Sequence, residues 1–346
     1  MDLVGLVSGG KDSIYNLLEA VRLGHRVVCL ANLHPAPPPP PAAPAAAAAS
    51  EEAPQELDSW MYQTVGWNVV PALCQALGLP LHRQATRGQA VHTGLAYPAA
   101  AAAAGAAGGD EVEDLHALLA GVLAAHPTVR GVAVGAILST YQRVRVESVC
   151  ARLGLVPVAL LWQRQQRGLL QDMAACGLRA LLVKVASHGL TAERHLGREA
   201  GELLPALLLL NQRMGLHVCG EGGEYETMTF NAPLYFHRLE ARPLTQQEKS
   251  STGNASWHIE SLSSIEKESE QLRYDAAALR PDWRRCLRAL RRGELLPSPP
   301  AFPPPPPPAA APSTPVSGVH HVNESMASHV SEARAPFADL YTVENG

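Results

Sequence analysis

The first part of the chain alternates short apolar runs with amphipathic stretches. Residues 3–7 form an apolar run that is typical of a buried strand, and residues 26–31 form a second one. Between them, residues 12–23 place apolar side chains on one face with helical spacing, and Gly24 follows where a helix commonly ends. Because a strand, a crossover helix and a second strand form a right-handed unit, this pattern predicts a parallel sheet.

The same alternation continues to about residue 230 and predicts an α/β fold. Further helices are predicted at 58–77, 111–125, 141–153, 168–176 and 192–214. Further strands are predicted at 81–85, 131–136, 156–161 and 180–185, followed by a strand, a turn and a strand within 216–230.

Low-complexity segments interrupt this pattern and end the chain. Residues 35–50 are nearly all proline and alanine, and residues 99–109 are alanine and glycine, so both are predicted to be disordered insertions in surface loops. The first could also bind a proline-recognising partner. Residues 241–296 are predicted to form a polar, helical extension that includes a basic helix at 283–292, and a disordered proline-rich tail is expected over 297–346.

Composition limits the classes of function. A formal charge of −4 argues against broad, sequence-independent binding of nucleic acid. The six cysteines form no Cys-x-x-Cys pair and the fourteen histidines show no metal-ligand spacing, which favours reduced thiols over disulfides or a zinc site. No apolar run is long enough to cross a bilayer and no secretory signal is apparent, so the sequence predicts a soluble intracellular protein.

The turn between the first strand and the first helix is the strongest candidate for chemistry. Its residues are Ser8, Gly9, Gly10, Lys11, Asp12 and Ser13. Paired glycines let backbone N–H groups approach a phosphate, and the helix N-terminus adds the positive end of its dipole. Lys11 adds a full charge, and Ser13 is expected to cap the helix with its hydroxyl. The alternative is an ordinary turn with a solvated lysine; the flanking strand and helix favour a phosphate site.

A glycine-rich acidic turn is the second candidate. It comprises Gly220, Glu221, Gly222, Gly223, Glu224, Tyr225, Glu226 and Thr227. Three carboxylates so close together are expected to need a cation or broad exposure to solvent, and the candidate cations are Mg²⁺ accompanying ATP and a cationic substrate. The ring of Tyr225 is suited to a quaternary ammonium group. An acidic, solvated hairpin is the alternative interpretation.

A third segment, residues 135–147, runs from a predicted strand into a helix. Ligands bind at the carboxyl ends of parallel strands, so Gln142, Arg143 and Arg145 are candidate substrate-binding residues, with either arginine able to reach a phosphate or a carboxylate. A surface ion pair between Arg143 and Glu147 is the alternative. Cys219 is expected to be a buried, inert thiol rather than a nucleophile.

Taken together, these segments resemble the diphthine–ammonia ligase family. The stretches SGGKDS, ELDSWMYQTVG, GAILSTYQRVRVE and CGEGGEYET occur here in the family's order. The first is shared with many enzymes that cleave ATP to AMP and pyrophosphate, and its pairing with the last is much more specific. The likeness is seen over residues 1–236 without the two insertions, and no match is found after residue 241.

The resemblance implies that ATP and ammonia convert diphthine on translation elongation factor 2 into diphthamide through an acyl-adenylate, in the cytoplasm. It implies an adenine-nucleotide α-hydrolase-like (Rossmann-like) domain, placed at 1–139, and a smaller substrate domain, placed at 140–240. Residues 8–13 would bind ATP, with Ser8, Lys11 and Asp12 in catalysis and Mg²⁺ as a cofactor, and residues 221–226 would bind diphthine. Two alternatives stay open: a related ligase such as a tRNA-modifying enzyme, and a non-catalytic nucleotide-binding or scaffold protein.

Overall fold

A parallel sheet forms the first half of the structure. The computed structural model describes residues 1–36, 61, 63, 65–104, 109–249 and 254–267. Five parallel strands are arranged in the order β3-β2-β1-β4-β5, which confirms the predicted α/β fold. Their bounds are β1 Asp2–Leu6, β2 Arg26–Pro35, β3 Leu81–Thr86, β4 Val129–Ala133 and β5 Val156–Val158.

The chain forms eight helices within the described residues, and some of them cover the two faces of the parallel sheet. They are α1 Lys11–Arg22, α2 Val70–Leu77, α3 Ala99–Ala104, α4 Glu111–Ala125, α5 Thr140–Leu153, α6 Gln166–Ala175, α7 Ala192–His195 and α8 Leu204–Met214. Apolar residues of α1, α2 and α6 pack in one cluster, and those of α4 and α5 pack with β1, β2 and β4 in another. No helix within the described ranges is long and apolar enough to cross a membrane.

A second, antiparallel sheet has the strand order β7-β6-β9-β8. Its strands are β6 Arg179–Val185, β7 Tyr225–Asn231, β8 His237–Lys249 and β9 Asn254–Glu266. The predicted helical extension after residue 240 is therefore wrong up to residue 266. Ala255, Trp257 and Ile259 recur every second residue and pack on the core, which is the pattern of a half-buried strand.

Three further predictions about helices and strands need correction. The helix predicted at 192–214 is two helices, because Gly197 has a φ of 75° and a Cβ there would collide with Trp257. Residues 216–224 form turns, so only the second of the two strands predicted there is present. Part of the helix predicted at 58–77 lies outside the described residues, and from residue 65 onward the structure has a 3₁₀ turn at Trp67–Val69 followed by α2.

The alanine-rich insertion also differs from its prediction. Residues 99–104 form α3, in which Ala101 is buried, so this part is ordered rather than disordered. Most of the proline-rich insertion, the basic helix predicted at 283–292 and the tail lie outside the described residues. The division into domains at residues 139 and 240 stays a prediction.

Candidate functional site

The phosphate-loop candidate lies between β1 and α1. Gly9 has a φ of 92°, and a Cβ on it would lie 2.7 Å from the sulfur of Met228, so this position favours glycine. Gly10 is the N-cap residue of α1, and its N–H donates to the Ser8 hydroxyl over 3.3 Å. The expected capping role of Ser13 is wrong, because its hydroxyl donates to the Gly10 carbonyl over 2.9 Å instead of accepting an N–H.

This loop packs directly on β7, whose first three residues also belong to the acidic turn. The Lys11 N–H donates to the Thr227 hydroxyl over 3.1 Å, and the Thr229 N–H donates to the Gly9 carbonyl over 2.9 Å. The side chain of Gln63 donates to the Thr227 carbonyl, which brings a third segment to the same place. Two motifs more than 200 residues apart therefore form one continuous surface.

The side chain of Lys11 is almost completely buried within this surface, with 2% of its area exposed. Its ammonium donates to the Asp12 carboxylate over 2.9 Å and to the Cys219 carbonyl, and lies 5.1 Å from the ring centroid of Tyr225. Burial, the largest single effect, lowers the pKa of Lys11, but the Asp12 carboxylate together with Tyr225 and Cys219 raises it by more, so the net shift is upward. Lys11 is thus held as a cation at the junction of the two motifs.

Only one of the two Asp12 carboxylate oxygens has a hydrogen-bond partner among the described residues. One oxygen pairs with Lys11, whereas Oδ1 is buried and has no hydrogen-bond partner among the described residues. Burial, together with the nearby Glu221 carboxylate, raises the pKa of Asp12 to about 6 even though Lys11 opposes this shift. A buried anionic oxygen without a donor is a candidate ligand for a hard cation.

The Glu221 carboxylate accepts hydrogen bonds from the backbone just before α5. Its Oε1 accepts the N–H groups of Ile137, Leu138 and Ser139 at 2.8, 2.9 and 3.0 Å. Ser139 is the N-cap of α5 and accepts the Gln142 N–H with its hydroxyl. The carboxylate therefore lies at the positive end of the helix dipole, next to the carboxyl end of β4.

The other two carboxylates of the acidic turn bind different parts of the chain. Glu224 accepts the His217 and Gly222 N–H groups at 2.7 and 2.8 Å and so closes its own turn. Glu226 accepts the Val65 N–H at 3.0 Å and pairs with Lys184 at 3.2 Å. Each of the three carboxylates has donors of its own within the described residues, so the expectation that the turn needs a bound cation or broad exposure to solvent is wrong.

Tyr225 differs from its predicted environment. The ring is buried, its hydroxyl donates to the Val218 carbonyl over 2.7 Å, and the cation nearest its ring is Lys11. Gly222 and Gly223 are exposed at the tip of the turn, where Gly223 has a φ of 82°. Cys219 is buried, and burial raises the pKa of its thiol to about 12, which fits the predicted inert thiol.

The three candidates on α5 occupy different environments. Gln142 donates to the Met61 carbonyl over 3.0 Å. Arg143 stacks on Trp162, with its guanidinium carbon 4.4 Å from the ring centroid, and lies 3.7 Å from Glu147. The ion pair offered as the alternative is therefore present.

Arg145 is completely buried beneath the segment that precedes α3. Its guanidinium donates to the carbonyls of Tyr141, His92 and Gly94, and it lies 3.3 Å from the ring centroid of Tyr141. A side chain enclosed in this way anchors a loop, and no ligand can reach it without displacing that loop. The sequence gave Arg143 and Arg145 as equivalent candidates, whereas in the structure Arg143 is partly exposed and Arg145 is buried.

A cavity of about 410 Å³ adjoins the Glu221 contact and was missed by the sequence reasoning. Its walls include Leu138, Gln163, Arg167 and His217. Gln163 has a φ of 57°, which non-glycine residues rarely adopt, and its N–H donates to the Ile137 carbonyl over 2.7 Å. No sequence pattern predicts a glutamine with a positive φ, so the sequence gave no indication that Gln163 lines a cavity.

Comparison with known proteins identifies the family. Residues 165–270 match the model of the diphthamide synthase C-terminal domain, so the likeness does not stop at residue 236 but continues through β9. Diphthine–ammonia ligases from Danio rerio, Bos taurus and Homo sapiens are 48%, 46% and 44% identical to this chain over 239 residues. The match covers 69% of this chain and 86%, 82% and 82% of the relatives, respectively. The chain therefore belongs to the diphthine–ammonia ligase family.

Proposed function

We propose that this protein is the ligase that amidates diphthine on translation elongation factor 2, using ATP and ammonia and releasing AMP and pyrophosphate. The observation that carries this proposal is the contact between the loop at 8–13 and the segment at 219–229. Lys11 bonds to Cys219 and Thr227, and Gly9 bonds to Thr229. An ATP-splitting loop and a substrate segment have to adjoin if AMP is to pass from one to the other.

The chemistry requires activation of a carboxylate. A carboxylate is a poor electrophile, and its attack on the α-phosphorus of ATP forms a mixed anhydride while pyrophosphate leaves. Ammonia then attacks the acyl carbon, the C–N bond forms and AMP leaves. Backbone N–H groups of Gly9 and Gly10, with Ser8, Ser13 and the Lys11 ammonium, are proposed to hold the leaving pyrophosphate.

The residues at this loop fit Mg²⁺. The buried, unpartnered Oδ1 of Asp12 is a hard anionic ligand, and the Glu221 carboxylate contributes to the same electrostatic environment. When bound, Mg²⁺ would neutralise charge on the phosphates of ATP. Asp12 would hold the Mg²⁺ at the phosphates. The Lys11 ammonium would stay charged and keep its hydrogen bond to the Cys219 carbonyl.

The acidic turn and the adjoining cavity are proposed to receive diphthine. Glu221, Glu224 and Glu226 supply negative potential for a trimethylammonium group, and exposed Gly222 and Gly223 let a protein substrate approach the backbone. Tyr225 would support the turn through Val218 and Lys11 rather than receive the cation.

On α5, two of the three candidates keep a substrate role in this proposal. Gln142 and the partly exposed Arg143 are proposed to line the path by which the substrate approaches, whereas Arg145 holds the loop behind them.

The proposal has three further parts. The chain is divided into an ATP-binding domain (1–139) and a substrate domain (140–240), it acts in the cytoplasm, and it does not bind nucleic acid directly.

An AMP-release assay tests the function. The purified full chain is incubated with ATP, Mg²⁺, ammonium and elongation factor 2 that carries diphthine, and the mass of the factor is measured. We expect AMP formation only when the diphthine-bearing factor is present, with the mass change of replacing a carboxylate oxygen by NH. ATP binding without AMP release under these conditions would favour a nucleotide-binding scaffold.

Glu224→Ala tests the substrate half of the site. This change removes the acceptor for the His217 and Gly222 N–H groups, so the acidic turn loses its closure. We expect the KM for the elongation factor to rise roughly tenfold, the equivalent of about 1.4 kcal/mol, with little change in the KM for ATP. Glu202→Ala on an exposed surface ion pair is the matched control. Equal losses for both substrates would argue for a metal-binding role instead.

A further inference from the structure

Three potential metal ligands converge on the α4 side of the parallel sheet. They are the thiol of Cys29 in β2, the imidazole of His82 in β3 and the imidazole of His126, the residue that ends α4. One ligand atom from each lies within 4.8 Å of the other two, and the Nε2 atoms of the histidines are 2.9 Å apart. We propose that these residues form a binding site for a transition-metal ion, best suited to Zn²⁺.

A β-bulge orients the thiol. In the pairing of β1 with β2, Leu3 lies opposite Val27 but Val4 lies opposite Cys29, so Val28 is an extra residue. Consecutive strand residues normally point to opposite faces, yet Val28 and Cys29 both pack in the cluster that contains α4. The bulge thus brings Cys29 to the face on which His126 lies.

The two histidines are held by the backbone. His82 lies opposite Ala31, two residues after Cys29, in the β2–β3 pairing. The His126 N–H donates to the Val122 carbonyl over 2.7 Å, and its carbonyl accepts the Val129 N–H over 3.1 Å. The ligands therefore come from three fixed elements rather than from one flexible loop.

The donor set indicates the class of metal. One sulfur and two imidazole nitrogens suit zinc and related borderline metals, whereas magnesium and calcium prefer oxygen ligands. Ligand atoms on one tetrahedral zinc lie about 3.5 Å apart, so small side-chain rotations are sufficient. Both histidines are partly exposed, which leaves a fourth position for water.

Burial shifts the pKa of both kinds of ligand, in opposite directions. Burial, with His126 contributing, lowers the pKa of His82, which favours the neutral imidazole that binds metals. Burial raises the pKa of Cys29 to about 12, so binding has to release the thiol proton and the metal replaces its charge.

This site is separate from the ATP-binding loop. Cys29 and His82 lie in the amino-terminal parts of their strands, and His126 precedes β4. Residues 8–13 follow the carboxyl end of β1, and strands of a parallel sheet all run in the same direction. The metal is therefore proposed to fasten α4 to the sheet edge rather than to take part in AMP formation.

Titration of the chelator-treated full chain with Co²⁺, followed by competition with Zn²⁺, tests this proposal. We expect one equivalent to bind with the ultraviolet absorption of a cobalt–thiolate bond. Cys29→Ser should abolish that band, and Cys74→Ser, at another buried cysteine, should retain it. His82→Gln, at a half-exposed position, should weaken binding at least tenfold while leaving AMP release unchanged.

A second measurement covers the case in which Cys29→Ser does not fold. Zn²⁺ should raise the Tm of the original chain and leave that of His82→Gln nearly unchanged, because only a ligand that binds the folded state stabilises it. Absence of stoichiometric binding, or a thiolate band that persists in Cys29→Ser, would show that His82 and His126 form only a hydrogen-bonded pair.

Discussion

The ammonium of Lys11 donates a hydrogen bond to the carbonyl of Cys219, which lies 208 residues later in the chain. Through this bond, the lysine of the proposed ATP-binding loop and the residue before the acidic turn share one buried contact. Lys11 also binds Asp12, whose other oxygen is left without a donor in the described part of the chain. Changes at either motif should therefore affect both ATP chemistry and the position of the turn.

Lys11→Met should abolish AMP formation. The substitution keeps the length of the side chain but removes the charge proposed to neutralise the leaving pyrophosphate. The loss should exceed a hundredfold in kcat/KM, which corresponds to about 2.7 kcal/mol. AMP release measures it, and a thermal melt checks that the variant folds. Normal turnover by folded protein would exclude Lys11 from catalysis.

Glu221→Gln should destabilise the junction between the acidic turn and α5. The amide can still accept hydrogen bonds but lacks the charge that favours three N–H donors at a helix N-terminus. We expect the free energy of unfolding in urea to fall by about 1–2 kcal/mol. Glu147→Gln, in an exposed pair on α5, should change it by less than about 0.5 kcal/mol. Equal effects would mean that the Glu221 contact contributes little.

Arg145→Met should release the segment at residues 88–97. The variant loses the donors to the His92 and Gly94 carbonyls but keeps a long apolar side chain between the tyrosine rings. Amide hydrogen exchange in this segment should accelerate at least tenfold, about 1.4 kcal/mol of lost protection. Arg143→Met, on the partly exposed side of the same helix, is the control. Unchanged exchange in Arg145→Met would contradict the anchoring role.

Acid should destabilise the protein through His25. Burial, and then the charge of the N-terminus, lowers the pKa of this histidine to about 4 in the folded state. The unfolded chain therefore binds the proton more readily, so stability is present above about pH 6.5 and is lost as the pH falls toward 4, by up to about 3 kcal/mol. His25→Gln should flatten this part of the urea-unfolding profile, whereas exposed His188→Gln should not. A profile unchanged by His25→Gln would contradict this assignment.

The local part of the fold could be predicted from the sequence. Apolar runs and the helical spacing of apolar residues predicted β1, α1 and β2. A buried strand and an amphipathic helix each give a clear pattern within about ten residues. Strands β8 and β9 were not predicted because apolar alternation is brief in them: it covers Ala255, Trp257 and Ile259 but does not extend along the mostly polar remainder of either strand. Gly197, between α7 and α8, has a positive φ and lies against Trp257 of a distant strand, a contact that no local pattern reports.

The sequence by itself determined which chemistry is proposed for the site, because the loop at residues 8–13 and the turn at 220–227 are contiguous motifs whose glycines and charges act locally. Only the tertiary structure decided which side chains can take part. It buried Arg145 and Tyr225, left Arg143 at the surface, and distributed Glu221, Glu224 and Glu226 among separate donors.

The same limit applies to Cys29, His82 and His126. Their spacing along the chain gives no metal-binding signal, and strand register together with a single bulge places their ligand atoms within 4.8 Å of one another. A sequence pattern reports neighbours within one element, whereas packing brings together residues that are far apart in the chain. For this reason the sequence predicts the contiguous motifs at 8–13 and 220–227 but does not predict clusters of residues that are distant along the chain.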